Sequence, residues 1–264
     1  MPASTELNLA LVRTSGDRRS LEFTPGMIQS EMLLSQPDQL VLGYARAMMC
    51  FTLFKPRPRH ILMVGLGGGS LTKFCYRHLP DACITVLELR ADVIALRQQF
   101  MIPPDDARLQ IIHADAADYL QRIPASVDVL LVDGFDEAGL PPALCSPRFY
   151  ADCRRALRDD GVLVANIFAY DARYATVLRR LGLTFNDRIC WFNGIAGNNR
   201  ILFAINVAKT QAQAETQAET QAEAITTRAL RVQRGVALWH GLGLACLNRM
   251  LAHLVVRRLS RRRC

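Results

Sequence analysis

Two hydrophobic rhythms alternate along most of the chain. From Ile61 to about residue 207, apolar runs of five to eight residues alternate with stretches whose apolar positions recur every three or four residues. The first rhythm suits buried strands and the second amphipathic helices. Strands are predicted at 61–65, 83–88, 109–113, 127–133, 161–167, 184–191 and 200–207, and helices at 70–79, 91–100, 115–122, 147–158 and 171–181. Alternation of this kind implies a parallel, doubly wound sheet. The last two strands are separated only by GIAGNN, residues 194–199, which reads as a hairpin turn. The final strand should therefore run antiparallel to its neighbour.

The flanks read differently. Residues 7–13 and 20–29 suggest two short strands, a small N-terminal β-element within residues 1–36. Residues 38–51 read as a helix with Asp38 as its N-cap after Pro37, and open a main domain over 37–208. Residues 210–224, TQAQAETQAETQAEA, repeat every four residues without an apolar face, so 209–227 reads as a linker. Residues 228–264 form a basic tail with one predicted helix over 228–260. The helix middle, 235–256, has the length of a membrane span, but His240, Asn248, Arg249 and His253 interrupt it without gathering on one face. Three readings stay open for it: a solvent-exposed or partner-packed helix, a contact with an anionic or membrane surface, or a span.

Charge changes the picture only once it is divided. The 264 residues carry a formal net charge of +8, yet nine arginines and no acid lie between Arg228 and Cys264, which leaves the rest of the chain at −1. The basicity belongs to the tail, so nothing argues that the body binds nucleic acid specifically. The eight cysteines show no CxxC pair and no zinc spacing, which suggests buried free thiols in a reducing cytosol. The N-terminus has no apolar h-region of a secretory signal, so a cytoplasmic location is expected.

The candidate chemistry sits where the strands end. ILMVGLGGGSLTKF, 61–74, is a strand, a glycine turn and a helix start, with Gly65, Gly67 and Gly69 spaced as GxGxG. Such a turn admits a ligand close to the backbone and offers it the N–H groups of the helix start. Ser70 breaks the GxGxxG dehydrogenase spacing, and no GK[ST] follows. Glu88 ends the next run, where an acid can accept from both ribose hydroxyls. Asp115, followed by Ala116, can accept from an adenine amine while a backbone N–H reaches a ring nitrogen, and equally well caps the following helix. Asp133 and Asp136 flank Gly-Phe at the end of the fourth run, where carboxylates can hold an ammonium group and take its proton. The α/β fold class expected is thus Rossmann-like, that of class I S-adenosylmethionine-dependent transferases: a mostly parallel seven-stranded sheet with an antiparallel last strand.

GMIQSEM (26–32), ILMVGLGGGSL, ITVLELR, HADA, LLVDGFD and LCSPRFYADCRRALRDDGVLVAN together resemble the spermidine synthase, or polyamine aminopropyltransferase, family over roughly residues 20–207. The resemblance implies transfer of an aminopropyl group from decarboxylated S-adenosylmethionine to a small-molecule amine, with no tightly bound cofactor. It implies that Gln29 touches the donor's aliphatic arm, Glu88 the ribose, and Asp115 and Ala116 the adenine. Asp133 would receive the amine's proton and Asp136 would steady the amine. Three positions depart from the family pattern. Gly68 stands where the glycine loop usually has an acid, which removes one reason to reject S-adenosylmethionine itself as co-substrate. Leu42, Gly43 and Tyr44 replace a Tyr-His-Glu, removing donor and amine contacts. Arg90 replaces an acid after the ribose glutamate. An S-adenosylmethionine-dependent methyltransferase-like enzyme and a non-catalytic adenosyl-binding relative are the alternatives. The N-terminal β-element and first helix are candidates for pairing two copies as a homodimer.

Overall fold

A computed structural model describes residues 9–135, 139–168, 170–196, 199–207 and 244–261. Its centre is a seven-stranded sheet. In chain order the strands are β4 (His60–Val64), β5 (Cys83–Glu88), β6 (Leu109–His113), β7 (Val127–Val132), β8 (Leu157–Phe168), β9 (Ile189–Ala196) and β10 (Asn199–Ile205). Across the sheet they lie in the order β6-β5-β4-β7-β8-β10-β9. The first five are mutually parallel. β10 is antiparallel to both of its neighbours. The hairpin expectation holds, with one addition: the last strand inserts between β8 and β9 instead of closing the edge.

Helices α2 (Ser70–His78), α3 (Ala91–Ala95), α4 (Ala116–Leu120), α5 (Pro147–Ala156) and α6 (Tyr174–Phe185) connect the strands. The two faces of the sheet bury separate apolar clusters, one around Met63, Phe74, Val86 and Phe203, the other around Leu62, Leu130, Tyr150 and Phe185. Alternate residues of each strand supply alternate clusters, as pleating requires. Of the described cysteines, Cys50, Cys75, Cys145 and Cys153 are buried, whereas Cys83 is exposed.

Several boundaries differ from the sequence reading. The N-terminal element has three strands, β1 (Leu11–Ser15), β2 (Arg18–Thr24) and β3 (Met27–Leu33), in an antiparallel meander. The stretch read as one strand over 20–29 is broken at Pro25-Gly26, a turn dipeptide, with Gly26 at φ +86°. The first helix, α1, spans only Gly43–Met48 and continues as a 3-10 turn over Met49–Leu53. Asp38 is not its cap: its carboxylate takes Arg77 at 2.8 Å and His78 at 3.4 Å instead. α3 is half its predicted length. Residues 96–101 wind as turns that close with Ile102 N–H on the Arg97 carbonyl at 2.9 Å and Met101 at φ +52°, as helix ends do. α6 and β9 begin three to five residues later than predicted. The helix stop is Asn186 at φ +53°, a residue type that tolerates the left-handed region.

Residues 208–243, including the repetitive linker, lie outside the described part. The tail helix, α7 (Leu244–Ser260), packs on β9 and α1 of its own chain. Ala252, Val255 and Leu259 are buried in the first apolar cluster, and Leu251 and Val256 flank them. Arg249, His253, Arg257, Arg258 and Arg261 are exposed on its other face; His240, and with it part of the reading over 235–256, lies outside the described residues. Among the described residues no helix is long and apolar enough to cross a membrane.

Candidate active site

β4, β5 and β7 lie side by side and end level, which brings three loops together. Gly65 N–H donates to the Leu87 carbonyl (2.8 Å) and Asp133 N–H to the Val64 carbonyl (2.9 Å). The glycine loop, Glu88 and Asp133 therefore meet at the carboxyl edge, where open α/β sheets form their crevices. A cavity of about 630 Å³ opens there. Gln29, Gly65, Gly67, Glu88, Asp115, Ala116 and Asp133 all line it. Gly69 does not: it starts α2 at φ +66°, and a Cβ there would stand 2.5 Å from Ile102. Asp136 lies outside the described residues.

Gly65 is dictated by packing. Its φ is +96°, and a Cβ would lie 2.5 Å from the Asp133 carbonyl oxygen. At Gly68 a Cβ would meet Ser30 Oγ at 2.7 Å and the Phe100 ring at 2.9 Å. The space of a side chain at position 68 is thus filled from β3 and from the turn after α3.

Glu88 is buried and bridges two backbone N–H groups, Leu66 at 2.8 Å to Oε2 and Arg90 at 2.9 Å to Oε1. It ties the glycine loop to the end of β5, and a carboxylate retains acceptor capacity beyond these two bonds. Arg90 is clamped by Asp92 at 2.6 Å and lies over the Phe23 ring at 4.4 Å, so its charge is already paired. Asp115 is the N-cap of α4: Oδ1 accepts from Ala117 N–H at 2.7 Å and Asp118 N–H at 3.4 Å. Both cap bonds fall on one oxygen, which leaves Oδ2 for a ligand.

Asp133 has the most unusual setting. Asn166 donates to its Oδ1 at 2.8 Å, and Asn199 donates to Asn166 at 2.9 Å. The phenol of Tyr44, on α1, also hydrogen-bonds the carboxylate. Burial pushes the Asp133 carboxyl up from 3.8 to about 7, although both hydrogen bonds favour its charged form. Burial first, and the nearby Asp133 carboxylate second, drive the Tyr44 phenol well above 10.0. A carboxylate that titrates near neutrality, faces a cavity and is held by two donors is equipped to take a proton from a ligand.

Tyr44, Asn166 and Asn199 escaped the sequence reading. Tyr44 stands in the segment whose family contacts are replaced, yet it supplies a donor to Asp133 from there. Asn166 carried a signal: it is a polar residue near the end of an apolar strand, as Glu88 and Asp133 are. Its neighbour in β8, Ala165, pairs with Val132 of β7, and this register puts the amide beside Asp133.

The comparisons with known proteins agree with one another. The spermine/spermidine synthase domain model matches residues 42–176. A polyamine aminopropyltransferase of Chromobacterium violaceum is 40% identical over 189 residues, covering 71% of this chain and 72% of its own. In fold, the chain is similar to a probable spermidine synthase from Corynebacterium glutamicum, with a TM-score of 0.66, 20% identity, and coverage of 81% of this chain and 83% of that one. It is also similar to a spermidine synthase in complex with the transition-state analogue AdoDATO, with a TM-score of 0.55, 21% identity, and coverage of 79% and 77%. On the length and identity of these matches, the chain belongs to the spermine/spermidine synthase family.

Proposed function

We propose that the protein is an aminopropyltransferase that joins the aminopropyl arm of decarboxylated S-adenosylmethionine to a small amine, with Asp133 as the proton acceptor. The observation that carries this reading is the half-buried Asp133 carboxylate, pushed to about 7 and held by Asn166 and Tyr44 on the cavity wall. An uncharged amine nitrogen attacks the methylene beside the sulfonium. The nitrogen–carbon bond forms as the carbon–sulfur bond breaks, methylthioadenosine leaves, and the surplus proton of the amine passes to Asp133. Alignment of the two reactants in one cavity supplies much of the acceleration. The ionised carboxylate also stabilises the positive charge that moves onto nitrogen.

The adenosyl half fits the other end of the cavity. Glu88 takes the ribose hydroxyls, Asp115 Oδ2 the adenine amine, and the Ala116 N–H a ring nitrogen. Gln29, from β3, lies against the donor's aliphatic arm. Gly65 and Gly67 allow close approach of the ligand to the loop, and Gly69 sets the start of α2. Asp136 is assigned to the amine. The relatives' names support polyamine chemistry, and the AdoDATO complex of a fold neighbour supports a donor of this type.

Methylthioadenosine release is measured with decarboxylated S-adenosylmethionine and a panel of diamines, for the wild type and Asp133→Asn. The expected result is amine-dependent release that the substitution lowers by 100-fold or more, with donor binding retained. Release with S-adenosylmethionine alone as donor, or an unchanged rate in Asp133→Asn, would overturn the reading.

A further inference from the structure

The tail helix has two faces, and only one is used by the fold. Ala252, Val255 and Leu259 are buried, with Leu251 and Val256 beside them. That packing fixes which residues point outward. Arg249, His253, Arg257 and Arg261 recur every fourth position and are all exposed, so they form one row. From Arg249 to Arg261, at 1.5 Å rise per residue, the row is about 18 Å long. Met250, Leu254 and Arg258 form the adjoining row, and Met250 and Leu254 are each 52% exposed.

The C-terminal end of this face is unfavourable for an isolated helix. Arg257 and Arg261 are like charges at i,i+4 with Arg258 beside them, and helices normally intersperse acids on a charged face. Here no acid occurs anywhere in 228–264. Among the described residues, no carboxylate pairs with Arg257, Arg258 or Arg261. The rest of the chain carries a net charge of −1, so the basicity of the chain lies in this tail segment. An anionic counter-surface relieves the repulsion.

We propose that the outward face of α7 docks the protein on an anionic phospholipid bilayer. The arginines of this face meet lipid phosphates, while Met250 and Leu254 enter the headgroup boundary beside them. These two apolar side chains favour a bilayer over a nucleic acid, which offers them no apolar phase. The helix lies on the surface and does not cross it. Its other face stays packed on β9 and α1, so the body is carried to the membrane with it.

The test is co-sedimentation of the full-length protein with vesicles containing about 30% phosphatidylglycerol, in low salt and in 0.5 M salt, beside zwitterionic vesicles and a short DNA duplex. The expected result is binding to anionic vesicles that is lost in high salt and absent from zwitterionic ones. Each arginine near such a surface contributes about fivefold in partition, so Arg257→Ala/Arg261→Ala should weaken binding about 25-fold. Leu254→Ser should weaken it severalfold even in low salt. All these positions are exposed, so thermal unfolding should be unchanged and serves as the folding control. Equal binding to zwitterionic vesicles, no effect of the double substitution, or tighter binding to the duplex than to anionic vesicles would overturn the proposal.

Discussion

Replacing Asp133 by Asn should stabilise the protein while it lowers transfer by 100-fold or more. In the unfolded chain this carboxyl titrates near 3.8, and in the fold burial holds it at about 7. Between those values the folded state binds more protons than the unfolded state, so stability falls as pH rises from about 4 to about 7 and is level above. The full shift corresponds to about 4 kcal/mol at 1.36 kcal/mol per pK unit. Because the carboxylate faces a cavity that water enters, about 2–4 kcal/mol is the expected range. An Asn at 133 keeps both partners: its carbonyl accepts from Asn166, and its amide can donate to the Tyr44 oxygen. Urea denaturation of both proteins at half-unit steps from pH 4 to pH 8, without ligand, measures the difference. The substituted protein should be more stable by about 2–4 kcal/mol at pH 8, with the gap closing toward pH 4. Parallel curves would refute the argument, because they would mean that the carboxylate is not desolvated in the folded state.

Tyr44→Phe removes a hydrogen bond that favours the Asp133 anion. The limb of kcat/KM that rises through about 7 should therefore move to higher pH, with a rate loss of about tenfold at pH 7; an unmoved limb in a pH–rate profile would count against this role. Gly68→Asp puts a Cβ 2.7 Å from Ser30 Oγ and 2.9 Å from the Phe100 ring. It should lower stability by about 1–3 kcal/mol in chemical denaturation, with Ser30→Gly recovering part of the loss. Lys73 is buried, donates to the Phe100 carbonyl at 2.7 Å and is pushed down from 10.5 to about 8 by burial. Its charged form destabilises the fold below pH 8, and stability recovers between about pH 8 and 10.5. Lys73→Met should raise stability at pH 7 by about 1–3 kcal/mol and flatten that alkaline rise.

The alternation of strand and helix was legible because each element is encoded locally, by apolar runs and amphipathic periods. The site acids were legible for a related reason. In a parallel sheet every strand ends on the same edge, so a glycine or carboxylate closing each run is brought to one place by topology alone. That is how Gly65, Glu88, Asp115 and Asp133 could be named from their positions in the chain. Local turn chemistry could have corrected two boundaries, since Pro25-Gly26 and Asn186 are both recognised stop signals. Asn166 stands at a strand end in the same way, but that it and two other residues are the partners of Asp133 could not be read from the chain. Tyr44 comes from α1, Asn166 from β8 and Asn199 from β10, and nothing in those segments encodes which strand lies next to which. Strand order and register decided it, by placing β8 beside β7 and inserting β10 against β8. The same holds for α7. Its sequence shows apolar and basic residues mixed over a long segment, whereas packing against β9 and α1 selects which of them are buried and which arginines point outward. The sequence by itself determined the elements and the acids at their ends, because these follow from local periodicity and one shared edge. Tertiary structure alone decided the proton affinity of Asp133 and the outward face of the tail, because burial and proximity depend on neighbours that only the folded chain supplies.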